Sequence, residues 1–196
     1  MAAASSSTAA RDERAASALV SMPPVAAEAP RVLVLGSMPG TASLRAQRYY
    51  AHPRNLFWPM MALHLGIDAR QPYEARMQAL CARGVALWDV LACCRRRGSL
   101  DGAIARDSEV PNDIPGLLQR HPGIRAILLN GGRTVAMFRR HLADECTRLR
   151  PALRLHALPS TSPANQSIPL PERERAWSVI ADYADAGTAA TPSPRS

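Results

Sequence analysis

The 196-residue chain contains no lysine: all 24 of its basic side chains are arginine. Chemistry that proceeds through a lysine Schiff base is excluded on that ground. No run approaches the roughly 20 consecutive apolar residues of a membrane-spanning helix. Cysteine is scarce, and Cys81, Cys93, Cys94 and Cys146 form no Cys-x-x-Cys pair. The adjacent Cys93-Cys94 is poor geometry for a metal, so the four read as small core fillers. No Gly-x-Gly-x-x-Gly and no P-loop pattern is present, which removes the common dinucleotide and nucleoside-triphosphate folds. The first residues lack a basic start followed by a long apolar core, so no secretory signal is predicted and a reduced cytoplasmic setting is expected.

What is present is ordinary for a globular protein, with 47% hydrophobic and 20% charged residues. The charge is not balanced: 24 bases against 16 acids leave a net +8. The choice of arginine over lysine fits a GC-rich genome, but the excess of base over acid needs another cause. It suits a polyanion-binding protein, because phosphate neutralisation supplies most non-specific affinity for nucleic acid.

Residues 1–29, rich in Ala, Ser, Pro and Glu, read as a disordered arm, and 186–196 as a disordered tail. The folded domain is expected over 30–185. Within it, short apolar runs alternate with helical periods. Strands are predicted at 31–35, 84–90, 124–129 and 153–158. Helices are predicted at 57–65, 72–83, 114–120, 134–145 and 170–183. That alternation implies a four-stranded parallel sheet with helices on both faces. Ligands then bind beyond the carboxyl ends of the strands.

The loops at those ends carry unusual sequences. Gly36-Ser37-Met38-Pro39-Gly40 follows the first strand and continues to Tyr49-Tyr50-Ala51-His52-Pro53-Arg54-Asn55-Leu56-Phe57-Trp58. Tyr50 sits among polar neighbours in a chain with only 5% aromatics, where a π-face suits a base turned out of a stack. Phe57, Trp58 and Trp88 read as core. Pro159-Ser160-Thr161-Ser162-Pro163-Ala164-Asn165 follows the last strand, and its hydroxyls and backbone N–H groups suit phosphates. It also reads as a plain solvated loop, as does Arg95-Arg96-Arg97.

Taken together, Gly36-Ser37-Met38-Pro39-Gly40, His52-Pro53-Arg54-Asn55-x-Phe57-Trp58 and Leu158 through Asn165 resemble the signature motifs of the hypoxanthine-DNA glycosylases, family 6 of the uracil-DNA glycosylase superfamily. Leu87-Trp88-Asp89-Val90-Leu91, Gly98-Ser99-Leu100-Asp101 and Pro111-Asn112-Asp113 fit the same group. The resemblance spans about 31–183. It implies a three-layer α/β/α sandwich with a short four-stranded parallel sheet and a DNA-repair activity, hydrolysis of the N-glycosidic bond of a deaminated base, with hypoxanthine foremost. Uracil or xanthine as substrate, or a non-catalytic lesion-binding module, remain the alternatives. The expected partner is DNA, single- or double-stranded, bound by a monomer with no membrane involvement.

The resemblance also implies roles. Asn55 would position the attacking water, because Met38 occupies the place where the mismatch-specific uracil/thymine glycosylases carry an asparagine and a thioether cannot orient water. Asn55 also reads as a helix N-cap, and it can do both. Gly36, Ser37 and Met38 would meet the base through their backbone, and Tyr50 would stack on it. Asp89, ionised, would accept from the N1–H of hypoxanthine and repel the N1 acceptor of adenine; a structural aspartate is its other reading. Ser160, Thr161, Ser162 and Asn165 would contact DNA. Leu158 stands where the classical uracil enzymes use a histidine, which points to a purine-directed pocket. Two branches of the superfamily hold an iron–sulfur cluster with cysteines ahead of the first loop; none precedes Cys81 here, so no cluster, metal or other cofactor is expected.

Overall fold

The computed structural model describes residues 18–98, 100–165 and 167–184. Four parallel strands form the main sheet: β2 (Val32–Gly36), β3 (Val85–Asp89), β6 (Ala126–Asn130) and β7 (Arg154–Leu158), in the order β3-β2-β6-β7. β2 is buried on both faces, and its side chains alternate between two cores. Val32 and Val34 face one side with Val85, Leu87, Ala126 and Leu128. Leu33 and Leu35 face the other with Ala86, Trp88, Ile127 and Leu129. A continuous apolar run is therefore what a central parallel strand requires, and each such side chain contributes about 1.5–3 kcal/mol on burial.

Helices cover both faces. α2 (Phe57–Leu65), α3 (Tyr73–Ala82) and α7 (Leu170–Trp177), with a 3-10 turn at Ser178–Asp182, close the first core. α4 (Ile114–Arg120), α5 (Gly132–His141) and α6 (Ala143–Leu149) close the second. The expected three-layer α/β/α sandwich is thus the observed one. Among the described residues no helix is long and apolar enough to cross a membrane. Cys94 and Cys146 are buried core fillers, as expected, while Cys81 and Cys93 are half-buried.

Several elements differ from expectation. The helix predicted over 134–145 breaks at Leu142, whose φ of −133° leaves the helical range, giving α5 and α6. The predicted last helix tightens into the 3-10 turn after Trp177. A six-residue helix, α1 (Thr41–Ala46), follows the first loop unpredicted. A second, antiparallel sheet, β1-β4-β5, was also unforeseen: β1 (Ala18–Val20), β4 (Leu91–Arg95) and β5 (Val110–Pro111).

The largest difference is at the N-terminal side. Residues 18–29 were expected in a disordered arm, but β1 pairs with β4 through Ala18↔Arg95 and Val20↔Cys93. Val25 exchanges backbone hydrogen bonds with Leu87, and Met22 is buried in the first core. A few well-placed contacts anchor a segment whose composition reads as disordered. Residues 1–17 and 185–196, which hold the rest of the predicted arm and tail, lie outside the described residues.

Candidate active site

Register brings the ends of the four strands to one edge, because Gly36 pairs with Asp89 and Asn130 with Leu158. The first loop leaves this edge and is stitched to the turn after β3: Val90 N–H donates to Gly36 O and Leu91 N–H to Ser37 O. Ser37 is buried, and its hydroxyl donates to the Asp101 carboxylate. Met38 is 5% exposed and packs into the second core, so only its backbone remains to meet a ligand.

Arg96 holds this loop from behind. Expected in a solvated cationic run, it is instead buried, with Nη2 donating to Pro39 O at 2.6 Å and Nε to Gly98 O at 3.1 Å. Its Nη1 lies 3.8 Å from Asp101. Only Arg95 and Arg97 of the three face outward, and Arg95 pairs with Asp107. Arg96→Ala should lower stability by about 3 kcal/mol, because it strands the Pro39 and Gly98 carbonyls and removes a buried cation beside Asp101. Arg96→Lys should not restore it, since an ammonium lacks the guanidinium fork. Urea unfolding checks both; equal stability of wild type and Arg96→Ala would refute the anchor.

Asp89 ends β3, is 4% exposed, and has Oδ2 accepting from Ser21 Oγ at 3.0 Å. Its Oδ1 lies so close to Gly36 that a Cβ there would sit 2.5 Å away, which is why this position carries glycine. Burial pushes the carboxyl up to about 7; the Ser21 hydrogen bond opposes this, the Asp101 charge adds to it, and the Tyr49 hydroxyl and Arg96 charge oppose it. The Asn112 side chain clamps the Asp89 carbonyl at 2.9 Å, giving the Pro111-Asn112-Asp113 motif a structural role.

Tyr50 stands beside this carboxyl, its hydroxyl 3.9 Å from the same Gly36 Cβ position. Its φ of 55° lies in the left-handed region, where a bulky residue persists only if its surroundings impose it. Two contacts impose it. One ring face stacks on fully buried Phe57, centroids 3.9 Å apart and 16° from parallel. The hydroxyl accepts from Asn130 Nδ2 at 3.3 Å. Phe57 therefore occupies one face of the Tyr50 ring.

Asn130 also binds the last loop, donating to Thr161 Oγ1 and accepting from Thr161 N–H, both at 2.9 Å. Thr161 is 1% exposed, so its side chain shapes the loop from within and is not presented to DNA, contrary to expectation. Ser160, Ser162 and Asn165 are half-buried along the loop surface. Ser160 Oγ accepts from Ser162 N–H at 3.2 Å, and Ser162 Oγ from Ala164 N–H at 3.3 Å. Leu56 N–H donates to Thr161 O at 3.0 Å, which joins the Asn55 segment to this loop. Asn55 Oδ1 accepts from Phe57 N–H at 2.9 Å, an i to i+2 turn onto the first helical residue; the N-cap itself is Leu56, so Asn55 stands one position ahead of the expected cap.

A model of the uracil DNA glycosylase superfamily matches residues 23–181. The chain belongs to that superfamily. It is similar to a protein of Methanosarcina acetivorans named hypoxanthine DNA glycosylase, 34% identical over 164 residues, covering 81% of this chain and 94% of the relative. A protein of Methanosarcina barkeri with the same name is 36% identical over 113 residues, 57% of this chain and 70% of that one. A solution structure from Methanosarcina acetivorans, described as a candidate uracil DNA glycosylase, superposes with a TM-score of 0.72 at 30% identity, covering 85% of this chain and 99% of that one.

In this superfamily member, then, Gly36, Tyr50, Asp89, Asn130 and the Asn55 and Ser160–Asn165 loops gather at one sheet edge. Sequence reasoning missed Ser21 and Asn130, and it named Arg96 and Asn112 within longer segments without the contacts they make here. Asn130 carried a signal, since it directly follows the strand predicted over 124–129 and opens the closing turn Asn130-Gly131-Gly132. Ser21 carried none.

Proposed function

We propose that this chain is a monofunctional DNA glycosylase that hydrolyses the N-glycosidic bond of deoxyinosine in DNA, releasing hypoxanthine and leaving an abasic site. The names of its two Methanosarcina relatives support the substrate. The observation that carries the reading is the buried Asp89 carboxyl beside Gly36 and Tyr50 at the strand ends. Ionised, it accepts from the N1–H of hypoxanthine and rejects adenine, which offers an acceptor there.

The bond breaks through an oxocarbenium-like sugar, and the base departs with the bonding electrons. A water adds to the sugar carbon and loses one proton, its oxygen and other hydrogen staying on the sugar as the hydroxyl, while the departing base anion gains one proton and leaves neutral. Asn55 orients that water, Tyr50 stacks the flipped base on its outer face, and Gly36, Ser37 and Met38 offer backbone to the base edge. Ser160, Ser162 and Asn165 grip phosphates, with the excess of arginine supplying non-specific affinity. One protein monomer acts per lesion, on duplex or single-stranded DNA.

Single-turnover release from a duplex with one deoxyinosine, beside uracil and xanthine duplexes, tests the proposal. Free hypoxanthine is expected from the inosine duplex. A folded protein that binds these duplexes and releases no base from any of them is a lesion-binding module, and the enzyme reading fails. Uracil and xanthine also present ring N–H donors to Asp89, so a ranking with either first would move the substrate while keeping the chemistry. Leu158, 7% exposed and apolar, argues against uracil as the main one.

A further inference from the structure

Residues 18–25 form the back wall of the base-reading site. Ser21 N–H donates to Ala92 O at 2.8 Å, fixing its backbone on β4. Met22 O accepts from Trp88 Nε1 at 3.0 Å, clamping the residue that precedes Asp89. Met22 O and Pro23 O also accept from the Tyr49 hydroxyl, at 3.3 and 3.1 Å. Held on both sides, Ser21 directs its hydroxyl to Asp89 Oδ2, while Oδ1 faces Gly36.

We propose that Ser21 is a positioning residue for base recognition: its hydroxyl holds the Asp89 carboxylate, through Oδ2, in the orientation and acceptor form that reads the flipped base. This rests on the reading of Asp89 as the base-recognition group. The contact matters because of where Asp89 titrates. The groups facing it are the Ser21 hydroxyl from the N-terminal segment, the Tyr49 and Tyr50 hydroxyls from the loop before α2, Asp101 from a short 3-10 turn at Asp101–Ala103, and Arg96 after β4. With the carboxyl brought to about 7, one donor more or less decides whether it is an acceptor or an acid near neutral pH. The protonated form donates, and a donor suits the N1 acceptor of adenine, so selectivity weakens along with activity.

The test compares wild type, Ser21→Ala and Ser21→Thr by two readouts. Ser21→Ala spares the backbone hydrogen bond to Ala92. Carboxyl NMR of carbon-13-labelled aspartate in the free protein should show the Asp89 midpoint rising by roughly one pH unit in Ser21→Ala and returning in Ser21→Thr. The acid limb of hypoxanthine release should move upward with it. The rate then falls about fivefold to tenfold below the wild-type midpoint and stays within about twofold at pH 9. An unmoved NMR midpoint overturns the Ser21 contact. A moved midpoint with an unmoved rate profile overturns the recognition role, and an Asp89→Ala variant that keeps its preference for inosine over adenosine traces that failure to Asp89 itself. A rate loss equal at every pH marks a structural effect, and a wild-type rate that rises as pH falls marks the neutral acid as the active form; either overturns the proposal.

Discussion

Replacing Asn55 by alanine should cut single-turnover release of hypoxanthine by about 100-fold to 10,000-fold while leaving DNA binding nearly intact. That is the span over which a positioned polar group acts on a proton-bearing nucleophile. The difficulty in reading such a result is that Asn55 already has a structural task, since its Oδ1 accepts from the Phe57 N–H. Losing such a hydrogen bond costs about 1 kcal/mol of stability, and Phe57 is the platform beneath Tyr50. Asn55→Ser separates the two roles. A serine hydroxyl can make the same short turn to the N–H two residues on, but its short side chain lacks the amide that would hold water. If both variants lose activity together, water positioning explains the loss. If Asn55→Ser stays near wild type, the turn was the only contribution and the water is held elsewhere.

Asp89→Asn should make the protein more stable at pH 8 and leave it nearly unchanged at pH 4. The folded carboxyl lies at about 7, above its ordinary 3.8, so the folded state keeps a proton that the unfolded chain releases. The stability this group provides is complete below about pH 4 and is lost as pH rises through 7. Moving the carboxyl that far corresponds to about 4 kcal/mol at the upper end. Asparagine does not ionise and escapes that loss, and its amide oxygen can still accept from Ser21. Urea unfolding at the two pH values reads the effect; an equal stability difference at both would show that Asp89 is not held in a charge-averse environment. The same variant should lose its preference for inosine over adenosine, because an amide can turn a donor toward either base. Both outcomes together, stability gained and selectivity lost, would be the usual mark of a functional site.

Much of the sandwich was legible because its strands are buried on both faces. Val32 through Leu35 could be placed from composition alone, and the turn glycine marks where the strand ends. β4 was not legible: Leu91-Ala92-Cys93-Cys94 follows β3 with only Val90 between, so it reads as more of the same apolar stretch, and its pairing with β1 on one side and β5 on the other makes it a separate strand. The residues of the site were legible as segments and not as orientations. Ser160, Thr161 and Ser162 look alike in sequence, and it takes Asn130, 31 positions from Thr161, to turn the middle one inward. Arg96 lies between two outward-facing arginines and is told apart by Pro39, 57 positions away. Ser21 sits in a stretch whose alanine and proline content describes an unfolded arm, and only its 68-position reach to Asp89 gives it a place in the site.

The backbone hydrogen bond from Leu56 to Thr161 also bears on synthesis. A ribosome delivers the Asn55 segment about a hundred residues before the loop that receives it, an interval on the order of ten seconds at ordinary elongation rates. By the end of that time β2, β3 and β6 have been made and can pair, but Tyr50 lacks the Asn130–Thr161 network in its final form and the 160–165 loop does not exist. The nascent chain can hold most of its fold while it has no completed site, so activity arrives late and all at once, when the last strand docks at the edge of the sheet.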